Sequence, residues 1–189
     1  NRSRLLMNIK EEKKKLRNEV MKRIAELSKE YTLEADKKIY KKVINLKEYK
    51  EANTIFCFVS TEDEINTRNI IENALESGKR VGVPKCVGKG IMEVCEIKGY
   101  TSLKDGKYGI LEPKEECPLI RSEDIDFAII PCVSCSKEGY RLGYGGGYYD
   151  RYLEHATFTT AVICREKIIC DSIPRDEHDI KIHRVITDR

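Results

Sequence analysis

Four of the twelve glycines in this chain fall within positions 143–147, inside the run GYRLGYGGGYYD over 139–150. A stretch so poor in side chains and so free in φ lets successive backbone N–H groups converge on one bound group, which suits an anion such as phosphate. Arg141 and Arg151 flank the run with positive charge, and Tyr148, Tyr149 and Asp150 follow it. Neither standard phosphate loop fits. A Walker A loop needs Lys-Ser/Thr after its last glycine, where this chain has Tyr148 and Tyr149. A dinucleotide fingerprint needs glycine at the sixth position from Gly143, where it has Tyr148. A plain glycine-rich turn between strand and helix is the simpler alternative. The arginines, the tyrosine pair and Asp150 favour a ligand site.

Other groups that could do chemistry lie far off in sequence. Lys13 and Arg17 stand four apart in a charged helical stretch and share a face; taken alone, they read first as a solvated basic face balanced by Glu11, Glu12 and Glu19. The polar segment Ser60, Thr61, Glu62, Asp63, Glu64 follows an apolar strand, the position where open α/β sheets gather ligands, and an ordinary helix-capping loop is its alternative. Cys132 and Cys135 form one C-x-x-C, with no second pair and no nearby histidine to complete a zinc site, so they read as core residues. His155, His178 and His183 lie in the last third, none beside a nucleophile motif, which leaves no Ser/His/Asp triad. Phosphoryl transfer asks for backbone donors, a few Lys or Arg, and an oxygen-liganded Mg²⁺. The chain offers groups for all three.

These residues must be positioned by an alternating pattern of helices and strands. Leu16, Val20, Ile24 and Leu27 recur at three- and four-residue steps and predict a helix over 7–29; a second, capped by Thr32, runs to 46 with Ile39 and Val43 inward. TIFCFV over 54–59 predicts a buried parallel strand. A helix capped by Asn66 or Thr67 follows, ended by Gly78, and a strand over 80–84 closes the unit. Residues 91–97 alternate as a half-exposed strand, and 99–118 form a long connection containing Tyr108. A central strand over 125–133 precedes the glycine run, and a helix over 147–155 follows it. Buried or closing strands are expected over 159–164, 168–173 and 183–187, with the polar loop PRDEHD between the last two. The expected fold is α/β and three-layered, with a central, largely parallel sheet flanked by helices, in one domain over 1–189. Residues 1–6 read as an extension left from cloning, with Met7 the natural start.

Composition excludes several classes. A net charge of +3 argues against bulk polyanion binding, and no aromatic RNA-binding signature is present. No apolar run nears the roughly 18 residues of a membrane helix. The eight scattered cysteines, without a secretory signal, read as reduced core residues of a cytoplasmic protein.

The segments RLGYGGGYYDRYL, FVSTEDEINT, the early KLR helix and the terminal PRDEHDIKIH, in this order, resemble the 5-formyltetrahydrofolate cyclo-ligase family, also called methenyltetrahydrofolate synthetase. The resemblance spans about residues 10–187. It implies a three-layer α/β ligase of one-carbon metabolism that uses ATP and Mg²⁺ to convert 5-formyltetrahydrofolate, with or without a polyglutamate tail, to 5,10-methenyltetrahydrofolate, releasing ADP and phosphate. It assigns Lys13, Lys14, Lys15, Leu16 and Arg17 to nucleotide phosphates, and Arg141, Leu142, Gly143, Tyr144, Gly145, Gly146, Gly147, Tyr148 and Tyr149 to the main ATP loop. Val59 and Glu64, with Tyr144, Gly145, Gly146, Gly147 and Tyr148, would meet the folate. Asp150 and Asp179 would hold magnesium, and Arg141, Tyr148 and Asp150 would act in the reaction itself. Some relatives carry a basic residue where this chain has Gly146, and tryptophan near Tyr108.

A chemical expectation goes with that resemblance. Joining N10 to the formyl carbon expels an oxygen, a poor leaving group, and no residue offers itself as a covalent acceptor. ATP can solve this by phosphorylating that oxygen. A monomer without nucleic-acid or membrane partners is expected. Two rivals stay open here: a non-catalytic nucleotide- or RNA-binding module, and a sugar-phosphate enzyme that needs no ATP.

Overall fold

The computed structural model describes residues 1–189. Its helices are α1 (Arg2–Glu26), α2 (Lys29–Asn45), α3 (Lys47–Glu51), α4 (Arg68–Glu76) and α5 (Tyr148–Leu153). The strands are β1 (Thr54–Cys57), β2 (Arg80–Gly88), β3 (Ile91–Ile97), β4 (Leu103–Asp105), β5 (Leu111–Pro113), β6 (Phe127–Ile130), β7 (Ser134–Cys135), β8 (Arg141–Leu142), β9 (Thr159–Ile163) and β10 (Arg184–Ile186). Six strands form the main sheet in the order β10-β9-β6-β1-β2-β3, parallel except for β3, which returns antiparallel on β2.

Three layers follow from the two-residue period of the strands. Ile55, Cys57, Ile129, Ala161 and Ile163 point to one face and pack with Ile39 and Val43 of α2, Tyr49 of α3 and Ile70 and Ile71 of α4. Phe56, Ala128, Ile130 and Val162 point to the other, beneath Val20 of α1 and Leu153 of α5. Strands buried on both faces are apolar throughout, which is why β1 and β6 read as continuous hydrophobic runs. Successive connections leave β1 toward β2 on one side and, through β6, toward β9 and β10 on the other. The chain order reverses between β1 and β6, and the crevice beyond their carboxyl ends is the place such sheets bind ligands.

Several boundaries differ from the sequence expectation. The first helix begins at Arg2 and ends at Glu26 rather than spanning 7–29. Ser28, not Thr32, caps α2: its hydroxyl accepts from the Tyr31 amide at 3.0 Å, whereas Thr32 donates back to the Lys29 carbonyl. Strand β2 continues past Pro84 to Gly88 and makes a hairpin with β3. The long connection contains the small β4–β5 hairpin, with Tyr108 at its tip, 94% exposed and at φ 59°. No strand forms over 168–173. The Cys170 amide donates to the Cys135 carbonyl and the Ser134 hydroxyl to the Ile168 carbonyl, so this segment pairs with β7 rather than the sheet.

Candidate active site

The glycine run leaves β8 and enters α5 with Gly145 at φ 102° and Gly147 at φ 71°, both in the left-handed region that favours glycine. Helix α5 is only six residues long, shorter than the expected 147–155, so the loop backbone and side chains carry the positive character rather than a helix dipole. Two long-range contacts hold the loop. The Arg17 Nε donates to the Gly143 carbonyl at 2.6 Å, and its guanidinium lies 3.6 Å from where a Cβ on Gly145 would stand. From below, the buried Arg141 donates Nε to the Pro131 carbonyl at 2.9 Å and lies 5.3 Å from the ring centre of Tyr149. Tyr149 in turn stacks on Phe56 of β1.

Two like charges thus face one loop. The Arg17 pKa is lowered from its ordinary value by burial and by the charge of Arg141, with Asp179 acting in the opposite sense. Arg stays protonated regardless, so the mutual repulsion stands as a driving force for taking up an anion between them.

An acidic pair lies beside these arginines. Asp150 accepts from the Ile180 amide at 3.3 Å and sits 4.0 Å from Arg141. Its pKa is raised, chiefly by burial and also by the neighbouring charge of Asp179, against the opposing pull of Arg141. Asp179 receives the Lys13 ammonium on both oxygens, at 2.9 and 2.6 Å, and the Asp176 amide at 2.9 Å. Two neighbouring carboxylates offer the hard oxygen donors that magnesium takes, and Lys13 is the group a cation at Asp179 would displace.

Across the crevice stands the loop after β1. Glu64 Oε1 accepts from the Thr61 amide and hydroxyl at 3.0 and 3.1 Å, and Oε2 accepts from the Tyr144 hydroxyl at 3.0 Å. Partial desolvation and the Glu64 carboxylate push the Tyr144 pKa up, while the residue keeps 57% of its surface exposed. Beneath this bridge lies a shallow, mostly apolar cleft bordered by Phe58, Ile65, Val133, Cys132 and Cys164.

The residues singled out in the sequence divide into three groups. Contacts bring Lys13 to Asp179, Arg17 to Gly143 and Gly145, Arg141 to Asp150 and Tyr149, and Tyr144 to Glu64, with Gly146, Gly147 and Tyr148 in the loop between them. Lys14 and Lys15 point to solvent, because a 3.6-residue period turns positions 13, 16 and 17 inward. Leu142 and Val59 are core residues, 0% and 5% exposed, which leaves only their backbones to reach a ligand; Leu16 packs against the same core cluster as Leu142. A Cβ at Gly146 would fall 2.6 Å from the Tyr148 ring, so the basic residue of some relatives would need that ring to move. Sequence reasoning missed Arg165, whose guanidinium holds Asp36 at 2.9 Å and reaches the Glu64 carbonyl at 3.4 Å. A lone arginine after a strand gave no signal. It also missed that Cys164 comes to Cys132 and Cys135.

A three-layer α/β protein with a mostly parallel sheet, a cationic glycine loop and an apolar cleft near the reversal of strand order is the class to which this chain belongs. Comparison with known proteins narrows it. The chain belongs to the 5-formyltetrahydrofolate cyclo-ligase family, an enzyme family whose model matches residues 9–188. It is 30% identical to the 5-formyltetrahydrofolate cyclo-ligase of Mus musculus, with 92% of each chain covered. It is 25% identical to the protein of that name from Haemophilus influenzae, covering 93% of this chain and 97% of the relative. The NMR structure of Aquifex aeolicus 5,10-methenyltetrahydrofolate synthetase superposes with a TM-score of 0.82 at 28% identity, covering 94% of this chain and 90% of the other. No helix is long and apolar enough to cross a membrane.

Proposed function

We propose that this chain converts 5-formyltetrahydrofolate to 5,10-methenyltetrahydrofolate at the expense of ATP, with magnesium. The observation that carries the reading is the Tyr144–Glu64 bridge, 3.0 Å long, which joins the glycine loop to the loop of the apolar cleft. A phosphate donor on one side and a pterin on the other would therefore be neighbours. ATP, the co-substrate, supplies a phosphoryl group that turns the formyl oxygen into a leaving group, and Mg²⁺ held by Asp150 and Asp179 would neutralise phosphate charge.

The chain's own residues do the positioning. Arg17 and Arg141 draw phosphate oxygens between them, with the backbone of Gly143, Gly145, Gly146 and Gly147 close against the same group. Lys13, released from Asp179, becomes a further cation for them. Tyr148 and Tyr149 wall the crevice, and the cleft below Tyr144 excludes water from one face of the folate. Glu64, once Tyr144 lets go of it, is free to accept hydrogen bonds from the pterin, with the Val59 backbone alongside. Attack by N10 on the activated formyl carbon closes the ring, and phosphate leaves with the former formyl oxygen. One chain supplies every group in this account, which is the basis for reading it as a monomer. Its eight free thiols suit the reducing cytoplasm.

Mixing protein, ATP, Mg²⁺ and 5-formyltetrahydrofolate should generate the near-ultraviolet absorption of the methenyl product, and omission of ATP or chelation of magnesium should abolish it. Substrate carrying heavy oxygen in the formyl group should yield labelled inorganic phosphate. Product formation with unlabelled phosphate, absent solvent exchange, would sink the mechanism while leaving the activity. No product at all would return the reading to a nucleotide-binding module.

A further inference from the structure

Three cysteines whose thiols the ligase reading gives no chemical part meet beyond the carboxyl ends of β6 and β9. Cys132 follows β6, Cys135 ends β7 and Cys164 follows β9, and their Sγ atoms all lie within 4.8 Å of one another. Cys135 and Cys164 are buried; Cys132 is half-buried, and with Cys164 it borders the cleft under Tyr144 while Cys135 lies behind. The pairing of β7 with β8 sets Arg141 directly across from Cys135, so the two side chains stand on the same face. That arginine side chain is 5% exposed, and its nearest carboxylate oxygen, on Asp150, is 4.0 Å away. Three soft donors therefore gather beside a buried cation that is only loosely paired.

We propose that Cys132, Cys135 and Cys164 form a zinc(II) site whose fourth coordination position opens onto the cleft. Zinc–thiolate bonds of about 2.3 Å in a tetrahedron put sulfurs about 3.8 Å apart, so the thiols need to draw in by no more than about 1 Å. Sulfur donors select zinc or copper(I) over magnesium. Three thiolates leave zinc(II) one net negative charge, which Arg141 offsets, whereas copper(I) would leave two in the same interior, where excess charge is costly. Three protein ligands with one open position form an exchangeable site rather than a closed structural one.

Chelator-stripped, reduced protein titrated with cobalt(II) should develop a near-ultraviolet thiolate-to-metal band that saturates at one equivalent and is bleached by one equivalent of zinc(II). Zinc-edge X-ray absorption on the wild-type protein should count three sulfur neighbours at about 2.3 Å. Cys164→Ser should lose the band and at least tenfold in zinc affinity, while C86S, at an exposed cysteine of β2, should keep both. Cys132→Ser, at the half-buried position, gives the same readout should the buried Cys164 variant not fold. Absence of the band, a band lost in C86S, or fewer than three sulfur neighbours would overturn the proposal. None of these measurements needs ATP or folate, so their outcome is independent of the activity.

Discussion

Arg17 and Arg141 repel each other across the glycine loop, which favours an anion between them. Arg17→Ala should leave the fold intact, since the side chain is half-buried at the surface of α1, and should weaken ATP use. Loss of one charge-assisted contact is worth about 1.5 to 3 kcal/mol, roughly ten- to a hundredfold in apparent ATP affinity; unchanged ATP saturation in a folded variant would remove Arg17 from the site. Asp150 has the opposite economy. Its folded-state pKa lies above the unfolded value, so its stabilising contribution is full below that unfolded value, near 4, and is lost as pH rises through the folded pKa. At neutral pH the ionised carboxylate is a burden on folding. Asp150→Asn should therefore keep or raise the melting temperature at pH 7 while cutting magnesium-dependent turnover roughly tenfold or more. A variant that melts earlier but keeps normal turnover and magnesium dependence would make Asp150 structural.

At the scale of elements, the glycine loop depends on backbone geometry as much as on charge. A Cβ on Gly147 would find nothing closer than 3.8 Å, so Gly147→Ala pays only for its left-handed φ of 71°. That strain is about 1 to 2 kcal/mol, a fall of roughly 2 to 8 °C in melting temperature for a chain of this size, and activity should fall further because α5 and Asp150 start from that residue. Thermal melts and turnover measured on the same preparation check both halves. The glycine run, β1 and β6 were legible in sequence because a doubly buried strand is apolar throughout and a glycine cluster is unmistakable. The β2–β3 hairpin was not. Proline normally ends a strand, but β1 pairs with β2 only as far as Gly82, and Pro84 lies on the free edge beyond, where no amide donor is needed. The apolar run 168–173 misled for a related reason: Ile168 and Ile173 are buried, yet the outer place beside β9 is already filled by β10. Helix α3 is a single short turn, too brief for any periodicity to declare it.

Across the whole molecule, one ion pair ties helix α2 to the loops after β1 and β9. Asp36 on α2 holds Arg165 after β9, accepts from the Asn66 amide at 3.1 Å, and through Arg165 supports the Glu64 carbonyl. Both partners are largely buried, at 14% and 8% side-chain exposure. Removing one charge leaves the other unpaired, which typically costs 3 to 5 kcal/mol, so Asp36→Asn should lower the melting temperature by roughly 6 to 20 °C; a shift within 2 °C would show the pair to be dispensable. Lys13 and Asp179 pose a different question, since 166 positions separate them. The order of synthesis follows from that span. A growing polypeptide has made the glycine loop long before it has made Asp179, so Lys13 waits without its carboxylate and β9 waits without its outer strand. A nascent chain halted at residue 175 should therefore lack the magnesium-dependent part of nucleotide binding, whatever part of the sheet it has already assembled, and that part should appear abruptly once residues 179–186 are added.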